Sequence, residues 1–151
     1  MTLDTAAIGT RFPSHTVEVE RGRLRFFAKA TGQTDPVYTD LDAARAAGHP
    51  DLVVPLTFLF CLNMERPDGS TQLEGLGIDP RSILHGEQAF DYDALAYAGD
   101  ALTFTTEISD VYSKKNGQLD FVERITEVTR GGERIARLTA TIVVPNRGQA
   151  A

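Results

Sequence analysis

A chain of 151 residues with a formal net charge of −6 fits one domain, residues 1–151, and lacks the clustered Lys and Arg that nucleic-acid binding requires. Apolar residues make up 42% and charged residues 24%, ordinary for a globular protein, and no apolar run reaches the ~18 residues a membrane helix needs. The one cysteine, Cys61, excludes an internal disulfide, and with no basic-then-apolar leader the expected setting is cytoplasmic.

The ends, about 1–8 and 146–151, read as loosely held. His15 to Glu20 alternates as a short strand with Val17 and Val19 on one side. Glu20 to Ala30 then predicts a helix that gathers Leu24, Phe27 and Ala28 near one face and stops at Thr31-Gly32. Gln33 to Tyr38 is a turn or extended loop, because Pro36 disfavours helix at Asp35. Thr39 or Asp40 caps a short helix, Leu41 to Ala47, which Gly48 ends. A further helix opens at Pro55 and runs to Asn63, apolar nearly all round, so something must wrap it. The Gly/Pro/Asp-rich stretch from Glu65 to Pro80 reads as a long loop, of the kind that often carries function.

Four strand-like runs follow, roughly Ile83–Tyr92, Ala101–Val111, Leu119–Val128 and Arg134–Val144. Gly99-Asp100, Asn116-Gly117 and Gly131-Gly132 separate them as turns. Leu102/Phe104/Thr106/Ile108 and Ala136/Leu138/Ala140/Ile142 alternate plainly. An antiparallel sheet of at least four strands, closing its apolar face on the apolar helix, buries both at once. The expected class is α+β, a sheet curled round a central helix in the hot-dog arrangement.

The run Ala30 to Asp40 resembles the motif Gly-Asp-x-Asn-Pro-(Leu/Ile/Val)-His of MaoC-like hydratases. Leu52 to Phe58, Ile83 to Phe90 and Ala98 to Thr103 are similar to the amino-terminal-type MaoC domain, also called the FAS1-like dehydratase domain. They also look like the mycobacterial (3R)-hydroxyacyl-carrier-protein dehydratase subunits that lack the catalytic pair. The resemblance spans roughly Gly9 to Pro145. It implies a dimer of hot dogs, homodimer or heterodimer with a catalytic MaoC-like subunit, taking an acyl thioester of coenzyme A or a carrier protein. No cofactor is implied. The reaction would be reversible syn addition of water to a trans-2-enoyl thioester, making the chain part of a hydro-lyase of fatty-acid type. That chemistry needs a carboxylate and an imidazole beside one water, and a backbone N–H to polarise the carbonyl.

Gly32, Pro36 and Val37 match the motif, but Gln33 stands where the catalytic aspartate belongs, Asp35 takes the asparagine position and Tyr38 replaces the histidine. No catalytic dyad carries over. Three substitutes remain as candidate catalytic residues: Asp35, for which an Asx turn before Pro36 is the favoured reading, and His85 with Glu87. Strict alternation would put His85, Glu87 and Ala89 on one face, either a substitute dyad or a polar pair at the surface or a subunit seam. Candidate substrate-binding residues are Gln33 and Tyr38 in the loop and Val54, Pro55, Leu56 and Thr57, where free N–H groups at the helix start could meet a thioester carbonyl. His15, His49 and His85 have no metal-ligand spacing, so no metal site is expected.

Overall fold

Turn residues set the strand half of the molecule. Lys115, Asn116 and Gly117 adopt left-handed φ angles of 53°, 54° and 80°, and Gly131 and Gly132 take 54° and 88°, which reverses the chain tightly at both places. The computed structural model describes residues 3–67 and 71–146. In chain order it contains β1 (His15–Glu18), α1 (Arg21–Ala30), α2 (Leu41–Ala46), α3 (Phe58–Asn63), α4 (Thr71–Glu74), β2 (Leu84–Tyr92), β3 (Ala101–Lys114), β4 (Leu119–Arg130) and β5 (Glu133–Pro145). The sheet has five strands in the order β1-β3-β4-β5-β2, all paired antiparallel. This is the hot-dog arrangement, with β1 and β2 as its free edges.

One face of the sheet is buried by strand alternation. Leu102, Phe104, Thr106 and Ile108 of β3 point inward, and a bulge between Ile108 and Asp110 shifts the phase so that Val111 is buried as well. Val122, Thr126 and Val128 of β4 and Ala136, Leu138 and Ile142 of β5 complete that face. Against it α3 buries Phe58, Leu59 and Leu62. Each fully buried residue of this size stabilises the fold by roughly 1.5–3 kcal/mol.

The expectation of a wrapped helix from Pro55 needs two corrections. Pro55, Leu56 and Thr57 form a turn ahead of α3, with Phe58 N–H donating to the Pro55 carbonyl at 2.9 Å. The helix is also only partly covered, since Phe60 and Cys61 are half-buried and Met64 is 58% exposed. Its open side faces the cavities described below.

Of the expected long loop from Glu65 to Pro80, residues 68–70 lie outside the described residues, and the part from Thr71 on is more structured than a loop. It carries α4 and places Leu73 and Ile78 in a second apolar cluster with Ile108, Val122 and Ile142. A Leu73–Leu76–Ile78 spacing among turn residues is enough to anchor it. The amino-terminal segment is also held: Leu3 N–H donates to Asp120 Oδ2 at 2.9 Å, Gly9 N–H to the Ile108 carbonyl at 2.9 Å, and Phe12 N–H to the Thr106 carbonyl at 3.0 Å. Asn146 Nδ2 donates to the Gly117 carbonyl at 2.8 Å. Residues 1, 2 and 147–151, the rest of both expected loose ends, lie outside the described residues. Among the described residues no helix is long and apolar enough to cross a membrane.

Candidate functional site

Three adjacent cavities share walls along the open side of α3. The outer one, about 370 Å³, is lined by Gln33, Tyr38, Pro55, Leu56 and Thr57, with Phe27 of α1 behind them. A middle one of about 320 Å³ shares Phe27 and Thr57 and adds Phe60, His85 and Glu87. The inner one, about 460 Å³, shares Phe60 and His85 and reaches Arg66 and Arg124. Together they form a groove from the loop at Gln33 to the inner face of β4.

The outer cavity brings together five of the six predicted substrate-binding residues; the sixth does not belong. Val54 is 3% exposed and its N–H donates to the Ala96 carbonyl at 2.9 Å, so it is a core residue. Apolar packing overrode the expectation there. Leu56 and Thr57 N–H have no acceptor among the described residues, and these are the donors a thioester carbonyl could take up.

The loop holds its shape through its own polar groups. Gln33 N–H closes α1 on the Ala28 carbonyl at 2.8 Å, helped by Gly32 at φ 70°. Asp35 Oδ1 accepts from Val37 N–H at 3.1 Å and caps the short 3-10 turn Pro36–Tyr38. Asp35 N–H in turn donates to Gln33 Oε1 at 3.2 Å. The Asp35 carboxylate is thus engaged as an Asx turn and does not line the outer cavity. What faces that cavity from the motif is an amide and a phenol, neither a ready base near neutral pH.

His85 lies where β2 meets the groove, its ring edge-on to Phe60 at 5.8 Å between centroids. The expected shared face with Glu87 and Ala89 is overturned by a bulge at Gly86. His85 pairs with Ile142, but Glu87 pairs with Thr141 and Gln88 with Ala140. The extra residue puts His85 in register with Gln88 and Phe90, opposite the inward Ile142, Ala140 and Leu138. Glu87 moves to the row of Ala89 and Asp91 and meets the middle cavity at its rim. Among the described residues no hydrogen bond or ion pair joins His85 to Glu87.

Sequence reasoning missed Arg124. On β4 it occupies the inward row between Val122 and Thr126, flanked in the sheet by Ile108 and Ala140. Its Nε is sealed from solvent with no hydrogen-bond partner. Burial, aided by the nearby Arg66 charge, pulls its pKa down to about 10. The signal was there: alternation through Val122, Thr126 and Val128 places a cation on the apolar face. Arg66 is held at the cavity wall by Asn63, whose Oδ1 accepts at 3.1 Å, and by Gln72. Among the described residues no cluster of three or more His, Cys, Asp or Glu could hold a metal ion.

A five-stranded antiparallel sheet over one short helix, with a proline-turned loop above the helix start, defines a hot-dog domain of the MaoC-like dehydratase kind. The chain belongs to the family described as FAS1-like, dehydratase domain region, which residues 6–138 match. It is 39% identical over 114 residues to a UPF0336 protein of Streptomyces coelicolor, covering 75% of this chain and 76% of that protein. Among solved structures it is similar to a chain of the C-terminally truncated HadBC (3R-hydroxyacyl-ACP dehydratase) complex from Mycobacterium tuberculosis. That match has 27% identity and a TM-score of 0.74, and covers 91% of this chain and 96% of that one. A chain of the ChsH1–ChsH2 complex from the same organism shares the fold at 21% identity and a TM-score of 0.74, covering 95% and 94%.

Proposed function

We propose that this chain is one subunit of an (R)-specific enoyl-thioester hydratase or 3-hydroxyacyl-thioester dehydratase, and that a MaoC-like partner supplies the Asp/His pair. The carrying observation is the state of the motif loop. Its shape is kept by Gly32, Pro36 and the Asp35 cap, while Gln33 and Tyr38 face the outer cavity in place of an acid and an imidazole. The groove is the acyl and pantetheine channel, with Leu56 and Thr57 N–H as donors to the thioester carbonyl. The free edge of β2, where Leu84 is 59% exposed, offers unpaired backbone to a second subunit. Two neighbours in fold come from two-subunit complexes, which supports a heterodimer. The test is co-expression with a MaoC-like protein carrying the intact motif, followed by assay of crotonyl-thioester hydration. A complex more active than the partner alone is expected; no complex and no stimulation would sink the proposal.

A second reading rests on His85, which lines the middle and inner cavities. In it the chain is a self-sufficient homodimer, and the purified protein hydrates an enoyl thioester by itself. His85→Ala should then abolish turnover. Saturable acyl-CoA binding without turnover, alone or with a partner, would instead make the chain a binding subunit only.

A further inference from the structure

The inner cavity has a charge at odds with the chain. The protein carries a net −6, yet this cavity is lined by two guanidiniums, from Arg66 and Arg124, beside the His85 imidazole, and among the described residues by no carboxylate. Arg124 has no hydrogen bond or ion pair among the described residues, and its Nε is cut off from solvent. Arg124 as a whole is half-buried, so the rest of its guanidinium meets the cavity, and an unpaired cation in such a setting is costly unless something compensates it. Strands β5 and β2 separate Arg124 from the free edge of β2, so a subunit added at that edge does not reach it. A group that pairs with Arg124 in place of water reaches it through the cavity. Most of the remaining wall is apolar, with Phe60, Met64, Leu73, Ile83 and the small Ala140 leaving room above β5. A slot of apolar walls ending in a guanidinium fits a hydrocarbon chain with a carboxylate at its far end, which Arg recognises by paired N–H donors.

We propose that Arg124 makes the inner cavity a receptor for the distal carboxylate of a dicarboxylic acyl chain. This rests on the reading of the groove as an acyl-thioester channel. The thioester carbonyl lies at the Leu56–Thr57 end, His85 and Phe60 flank the passage, and the second carboxylate pairs with Arg124 under the added charge of Arg66.

The test compares matched coenzyme A esters by calorimetry on the full chain. Succinyl, adipoyl and suberoyl esters are set against butyryl, hexanoyl and octanoyl esters, with free coenzyme A and adipate as controls. At one length the dicarboxylic ester should bind about 10-fold or more tighter, the scale of one charge-assisted pair. Arg124→Met should remove that preference and raise Tm, because an uncompensated cation is gone. Should that variant misfold, the Arg124 Nε–H resonance of the wild type, titrated with adipate, reads the same contact. Equal affinity within every matched pair overturns the proposal and leaves the channel reading standing. Loss of free coenzyme A binding in Arg124→Met also overturns it, since Arg124 would then read the phosphates. If no ester binds but adipate moves the Nε–H signal, the carboxylate site stands and the channel reading fails. If nothing binds and nothing moves, both fail.

Discussion

Gly86 lies so close to the β5 backbone that a Cβ placed on it would sit 3.2 Å from the Thr141 carbonyl oxygen and 3.1 Å from Val143 Cγ2. This approach accompanies the bulge that puts His85 and Glu87 in different rows of β2, although both meet the middle cavity. Gly86→Ala gains a little from a stiffer unfolded chain but pays in overpacking. A net loss of about 1 kcal/mol is expected, measurable by urea denaturation. The His85 ring should also leave its edge-on contact with Phe60, visible as a changed His85 ring shift in NMR. An unchanged stability and ring shift would show that the bulge tolerates a side chain.

The motif loop should accept its lost chemistry back. Gln33 and Tyr38 line one cavity, Asp35 Oδ1 caps the turn on Val37 N–H, and an aspartate at position 33 offers a carboxylate oxygen in place of the Gln33 Oε1 that accepts from Asp35 N–H. The double variant Gln33→Asp/Tyr38→His is therefore expected to hydrate a crotonyl thioester faster than the parent chain by about 100-fold, the low end of what a positioned acid–base pair contributes. The single variants should gain far less. A folded double variant with parental activity would mean that the loop no longer positions these side chains for the reaction.

Thr106 and Thr126 form a cross-strand hydroxyl pair at 2.8 Å, both nearly sealed from solvent at 3% and 4% exposure. Removing one partner leaves the other hydroxyl buried and unpaired. Thr126→Val should accordingly cost about 1–3 kcal/mol, while Thr106→Val/Thr126→Val should lie closer to the wild type. Chemical denaturation of the two singles and the double closes the cycle. Additive losses would argue that the pair is not coupled.

Acid stability should depend on Asp51. Arg21 donates to it from Nε at 2.9 Å and from Nη2 at 2.5 Å, and Leu52 N–H donates at 2.7 Å. The Arg21 hydrogen bonds, against the opposing effect of burial, hold the Asp51 carboxyl down at about 2. A carboxyl lowered on folding binds its proton more readily in the unfolded chain. Its stabilisation is therefore present above the ordinary carboxylate range near pH 4 and is lost as pH falls toward 2. Arg21 is 47% exposed, so screening limits the effect to about 1 kcal/mol. Asp51→Asn should destabilise at pH 7 and converge with the wild type by pH 2 in thermal melts. A constant gap across that range would remove Asp51 from the acid transition.

Much of the fold was legible because its signals are local. Alternation marked Leu102 to Ile108 and Ala136 to Ile142, left-handed turn residues marked the hairpins, and Pro36 marked the loop that Gln33 and Tyr38 occupy. The outer part of the site followed from that loop and the start of α3. The sequence could not say where the strand period slips. A bulge adds one residue at Gly86 or beside Ser109 only because the paired strand is already in place, and that slip parted His85 from Glu87. Nor could it weigh Val54, whose N–H found its acceptor in Ala96, distant along the chain. The hot-dog domain was therefore determined by residue pattern, whereas the isolation of Arg124 inside the sheet and the groove leading to it were decided by packing between distant segments.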